Sequence, residues 1–312
     1  MITGLSLSLP SVMQMSRSSA CLLYRPSDVT FPILSADSSL INTGGGLAEH
    51  VTLTTIHPSI PNMSNPPNSN TACCTIPTVV PKEQYKEKGE YKPYGSFKKV
   101  YSVGNPKSGK TIIGVYDIFG YWPQTLQGAD ILAETLDALV IYPDFLDGQP
   151  WDHTDFPPKS HESKKKFQEF LAGVASVTER VKNVGELADQ LRADGAKFVG
   201  TGAKVVTVAG GTGKTDAVVA IHPAFLDVKD AENLKVPIGL FPSKDEPLDE
   251  YEKIIKSIST KPFASKNAYK VYPDMPHGWA AARADLEDPQ NKKQYEDVYG
   301  TAVTFYKGVI AG

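Results

Sequence analysis

Two stretches decide the fold: residues 236–246, VPIGLFPSKDE, and residues 268–278, AYKVYPDMPHG. Each is a short apolar run that ends at a proline and passes at once into polar, ionisable side chains. Such runs, bounded by turn residues, are buried strands. The first delivers Asp245 and the second His277. In an open parallel sheet, ligands bind beyond the carboxyl ends of the strands. An acid after one late strand and a histidine after the next therefore point to one site at one sheet edge.

Working outward, residues 216–221 (DAVVAI) form another buried run, stopped by His222-Pro223. Residues 111–119 (TIIGVYDIF) end at Gly120, and residues 139–142 stop at Pro143. Helical spacing fills the gaps. It runs over 127–138 through Ile131, Leu132, Thr135 and Leu136, over 163–192 with a break expected at Gly173 or Gly185, and over 291–309. Alternating strands and helices predict an α/β fold: a mostly parallel central sheet with helices on both faces.

The chain has 312 residues, a formal charge of -3 and 41% hydrophobic residues, which suits a globular domain with a sizeable core. The balanced charge argues against a nucleic-acid partner. No stretch reaches the roughly 20 apolar residues of a membrane span. Residues 1–81 contain no lysine and are rich in Ser, Thr, Pro and Asn. Residues 1–80 are therefore expected to be a disordered extension, with the folded domain over 81–312. Arg17 and Arg25 precede the first acid, Asp28, a faint transit-peptide pattern. Met63 resembles a natural start. The expected location is cytoplasmic, or mitochondrial if that leader is used. Cys21, Cys73 and Cys74 lie in the first quarter of the chain, an arrangement that suits a reducing compartment better than a disulfide framework.

The order acid…His is that of the α/β-hydrolase triad. His277 would move the proton of a nucleophile and Asp245 would hold the imidazole. Pro276 and Gly278 would fix the height of the ring. The nucleophile should sit on a sharp strand-to-helix turn before residue 216, yet residues 196–206 contain neither Ser nor Cys. Thr201 is the hydroxyl there, in an expected turn Gly200-Thr201-Gly202, and its β-branch makes it a poor elbow residue.

Other groups read as structural. Residues 210–215, GGTGKT, lack the first glycine of a phosphate loop, because Val208 stands there, and are expected to close a helix. Asp152, His153, Asp155, His161 and Glu162 are expected in a solvated loop rather than around a metal. His222 is expected as a strand-end residue. Cys73 and Cys74 are too far from the elbow to replace its nucleophile.

From about residue 71 the chain resembles the dienelactone hydrolase family, in its fungal branch. The resemblance rests on residues 72–77 (ACCTIP), 117–120 (DIFG), 127–130 (QGAD), 142–145 (YPDF), 216–223 (DAVVAIHP), 244–246 (KDE) and 277–283 (HGWAAAR), in that order. It implies an α/β-hydrolase fold, Asp245 and His277 as acid and base, and a lactone or carboxylic ester as substrate, with no cofactor. Asp117, Ile118 and Trp151 are expected in the substrate pocket, Asp117 as an acid near the nucleophile or as a turn cap. The family would carry G-x-Y-G-x-C-W-G-A-K where this chain has only Gly200-Thr201-Gly202-Ala203-Lys204. About five residues with the nucleophile are missing between intact flanks. The alternative expectation is a catalytically inactive member that binds a small molecule or a partner.

Overall fold

The computed structural model describes residues 75–82, 85–202 and 204–312. Of the extension expected over 1–80, residues 1–74, with Cys21, Cys73 and Cys74, lie outside them, whereas 75–80 are described. Eight strands form one sheet in the order β1-β2-β4-β3-β5-β6-β7-β8. A hairpin of β1 (Glu90–Tyr94) and β2 (Phe97–Gly104) opens it, with β2 antiparallel to β4 (Leu139–Pro143). All later pairings are parallel, through β3 (Lys110–Gly114), β5 (Phe198–Gly202), β6 (Ala217–Ile221), β7 (Ile238–Phe241) and β8 (Ala268–Tyr269).

Successive residues of β6 face opposite sides, as a strand requires. Ala217 and Val219 join the larger core, whereas Val218 and Ala220 join a second core with Leu240 and Ile254. Helices therefore cover both faces. On one, α1 (Pro123–Leu136) packs against α7 (Pro289–Ile310). On the other run α3 (Val177–Ala193), α4 (Lys204–Gly210), α5 (Val228–Glu232) and α6 (Leu248–Ile258). The long helical region divides at Gly173, after α2 (His161–Ala172).

The last helix shows why these residues choose helix. Asp288 caps it by accepting from the Gln290 N–H, and Pro289 takes the first turn, where its missing N–H is not needed. Tyr295, Val298, Tyr299, Ala302, Val303 and Tyr306 recur at helical spacing and are buried. Each large side chain so enclosed contributes about 1.5–3 kcal/mol.

Near the first of the described residues, residues 76–82 cross the loop after β8 as a strap. The Val79 N–H donates to the Ala282 carbonyl at 2.9 Å, and the Val79 carbonyl accepts from the Trp122 indole and the Gln124 amide, both at 3.0 Å. Among the described residues no helix is long and apolar enough to cross a membrane.

Candidate active site

The site begins where β7 and β8 end. Main-chain bonds continue their pairing beyond the strands: Tyr272 N–H to the Pro242 carbonyl (2.8 Å) and Lys244 N–H to the Met275 carbonyl (3.1 Å). The two loops expected to carry the acid and the histidine thus lie side by side.

The carboxylate on the His277 ring is that of Glu246, not Asp245. Glu246 Oε1 lies 2.7 Å from His277 Nδ1. Its Oε2 accepts the Ser243 N–H, so the turn itself aims the carboxylate. Asp245 Oδ2 instead accepts the His277 backbone N–H at 2.8 Å. The physical reason for this correction is the tight turn over Ser243–Glu246: Glu246 points inward and is 4% exposed, whereas Asp245 is partly open. Neighbouring acids leave the sequence no means of choosing between them.

His277 is itself 4% exposed. Burial, reinforced by Arg283 and opposed by Asp245, pushes its pKa down to about 3. The ring is then neutral at pH 7, and the tautomer with its proton on Nδ1 donates to the Glu246 carboxylate. Gly278 follows with φ +85°, and the Arg283 side chain lies so close that a Cβ there would meet Arg283 Cδ at 2.6 Å. Glycine is needed on both counts. Arg283 is enclosed, its guanidinium over the rings of Phe119 (5.3 Å) and Phe156 (5.4 Å), with Nε donating to the Ile76 carbonyl of the strap at 2.6 Å.

His222 joins the same cluster. It follows β6 with φ +38°, a left-handed conformation that is costly outside glycine. Its ring meets the His277 ring edge-on at 5.2 Å. Burial first, then the charges of His277 and Arg283, push its pKa down to about 3 against the pull of Glu246. It does more than end a strand. The only sequence hint was a histidine at a strand end before a proline.

A cavity of about 260 Å³ opens among these groups and is lined by Asp117, Ile118, His222, His277 and Arg283. Asp117 Oδ1 accepts the Phe119 N–H at 3.0 Å, as a turn cap does, while its Oδ2 is buried with no partner. Burial raises the Asp117 pKa, with Arg283 opposing. Trp151 was expected in this wall and is not there. Its ring packs on Phe167 (4.8 Å) and Phe170 (5.4 Å), and its backbone N–H donates to the Ile118 carbonyl at 2.8 Å. It braces the wall from behind, because the aromatic face of α2 offers it more apolar contact than the cavity does.

The place of the nucleophile is the junction of β5 and α4. Gly200-Thr201-Gly202 is strand, not the expected turn, because Thr201 pairs with Ile113 and Gly202 with Gly114. Thr201 is 0% exposed, and its carbonyl accepts from the Tyr306 hydroxyl at 2.8 Å. It is a core residue. The glycine-rich stretch 210–215 follows α4 as a turn, where Thr212 Oγ1 donates to the Ala209 carbonyl at 2.6 Å. In the loop considered for a metal, Asp152 accepts the Thr154 N–H and Asp155 accepts the Ser163 hydroxyl.

Sheet order, helical layers and a histidine–carboxylate pair beyond the strand ends define an α/β-hydrolase fold. The chain belongs to the dienelactone hydrolase family, whose sequence profile matches residues 99–310, and this carries a hydrolase-type function. Two uncharacterised AIM2 family proteins of Schizosaccharomyces pombe are similar. One is 33% identical over 67% of this chain and 87% of its own length, the other 32% identical over 66% and 86%. Among solved structures, TT1662 from Thermus thermophilus superposes with a TM-score of 0.51 at 14% identity, covering 73% of this chain and 99% of that one. That likeness is one of fold.

Proposed function

We propose that this site is built to hydrolyse a small carboxylic ester or lactone by nucleophile–histidine–acid chemistry, and that the chain carries the acid and base but not the nucleophile. The enclosed Glu246–His277 pair, with His277 on the cavity wall, carries the reading. A neutral imidazole can take a proton from an attacking group and return it to the leaving alkoxide. Glu246 fixes the tautomer and offsets the charge of the imidazolium that forms. Asp245 holds the main chain of the histidine loop, while Asp117 and Ile118 shape the substrate pocket.

The elbow that would present a thiol is lacking between Thr201 and Gly202, and with it the backbone N–H that would complete an oxyanion hole. A second reading, a catalytically silent binding protein, is favoured by this junction, where Thr201 is fully enclosed and no Ser or Cys occurs.

Inserting a five-residue segment that restores G-x-C-x-G between Thr201 and Gly202 tests the proposal. Hydrolysis of 4-nitrophenyl acetate should rise by about 100-fold or more over the chain as it stands, and His277→Ala in the restored protein should remove the gain. A folded insertion protein with no gain, or with a gain indifferent to His277→Ala, would overturn it.

A further inference from the structure

His222 is anchored through its main chain. Its N–H donates to the Phe241 carbonyl at 2.9 Å, so β6 stays paired with β7 up to this residue. Pro223 follows, and its carbonyl accepts from the Tyr251 hydroxyl in the second core. Between these anchors the backbone holds φ +38°. That conformation is costly for a residue with a Cβ and persists where the surroundings impose it, often at binding sites. None of these contacts uses the imidazole.

The imidazole belongs to the cavity. His222 lines it with His277 and with the apolar side chains of Ile118, Leu171, Val177 and Phe225. Unlike His277, it is partly exposed. The ring's hydrogen bond is to its own main chain. Among the described residues its other close contact is the edge-on meeting with the His277 ring at 5.2 Å. A neutral imidazole carries one N–H and one bare nitrogen. With the N–H spent on a carbonyl, the bare nitrogen is an acceptor that no described residue serves. Burial, His277 and Arg283 keep it unprotonated against the pull of Glu246. An acceptor left unpaired among apolar side chains is costly, and a ligand that brings a donor recovers that cost. Arg283 beside the ring disfavours an ammonium in that role, which leaves a neutral hydroxyl. An apolar cavity of about 150 Å³ accepts benzene, so the 260 Å³ here suffices for one ring and a short ester.

We propose that His222 is a ligand-binding residue that accepts a hydrogen bond from a hydroxyl group, so that the cavity prefers a small hydroxy-ester or hydroxy-lactone with an apolar body. The ester part of this inference rests on the function proposed above; the hydroxyl part does not. Binding requires no turnover. A chain that prefers the hydroxylated compound yet stays inert after the elbow is restored would leave His222 its role while the catalytic proposal fell. A restored enzyme indifferent to the hydroxyl would do the reverse.

The probes are methyl mandelate and methyl phenylacetate, which differ by one hydroxyl, titrated by calorimetry into the full chain. The better-binding enantiomer of methyl mandelate should bind saturably and about fivefold tighter, the factor one neutral hydrogen bond contributes. His222→Phe, which keeps a flat ring and removes the acceptor, should bring that ratio close to one. His222→Asn, which tolerates positive φ and restores an acceptor, should recover about half of the preference on a logarithmic scale. Should His222→Phe not fold, nitrogen NMR of the wild-type protein decides: methyl mandelate must shift a His222 ring nitrogen further than methyl phenylacetate does. No saturable binding of methyl mandelate, equal affinity for the two esters, a preference kept in folded His222→Phe, or His222 nitrogens that respond alike to both would each overturn the proposal.

Discussion

Glu246 Oε1 and His277 Nδ1 lie 2.7 Å apart, and neither residue exposes more than 4% of its surface. The adjacent carboxylate of Asp245 reaches the same histidine at its main chain only. Exchanging the two acids therefore has different consequences. Glu246→Ala should strand the buried imidazole N–H, cost about 1–3 kcal/mol, and shift the ring tautomer seen by nitrogen NMR. Asp245→Asn should leave the tautomer in place. A tautomer lost in Asp245→Asn and kept in Glu246→Ala would reverse the assignment.

Stability should fall as the pH drops below about 6.5. His222 and His277 both have folded-state values near 3, below the ordinary 6.5 of an unfolded chain. Above 6.5 both states are neutral there, and the full contribution is present. Between 6.5 and 3 the unfolded chain takes up protons that the folded one refuses, so stability declines by about 1.4 kcal/mol per pH unit for each histidine. Asp117 runs the other way, since its raised value favours the folded state at low pH. Urea midpoints from pH 7.5 to 4.5 measure the net slope, and His222→Phe should reduce it by close to one proton.

Asp130 is the polar anchor of α1. It is 2% exposed and accepts from the hydroxyls of Tyr101 and Tyr85 and from the Lys88 N–H. Asp130→Ala should cost about 2–4 kcal/mol by leaving a buried tyrosine hydroxyl unpaired beside a small void. Chemical unfolding of Asp130→Ala and of Tyr101→Phe tests this; the tyrosine change should be the milder.

Gly278→Ala should destabilise by about 1–3 kcal/mol, since the position needs positive φ and Arg283 already fills the space of a Cβ. A thermal midpoint equal to that of the wild type would contradict this account of the histidine loop.

The strands β3, β4, β6, β7 and β8 and the helices α1, α2, α3 and α7 were legible because each leaves a strong local mark, a β-branched run with a stop or an apolar face at helical spacing. The β1–β2 hairpin was not, since its exposed first strand, EYKPY, has no apolar pattern. The histidine was legible from strand order and its Pro and Gly neighbours. Glu246 was hidden by its likeness to Asp245, and what separates them is the bond the Glu246 carboxylate accepts from the Ser243 N–H. Trp151 has the composition of a pocket wall, but where an indole settles depends on Phe167 and Phe170, which lie in α2. His222 required knowledge of which strands are neighbours, a property of the assembled sheet.

The strap has a practical consequence for where this protein can be shortened. The Ile76 carbonyl grips Arg283 and Val79 grips Ala282, across more than 200 residues of chain. A fragment begun at residue 81 would keep every side chain of the histidine cluster and yet lose the clamp on its arginine. A fragment that keeps this clamp therefore starts upstream of Ile76, and the arginine beside the histidine cluster is held by two segments far apart in sequence.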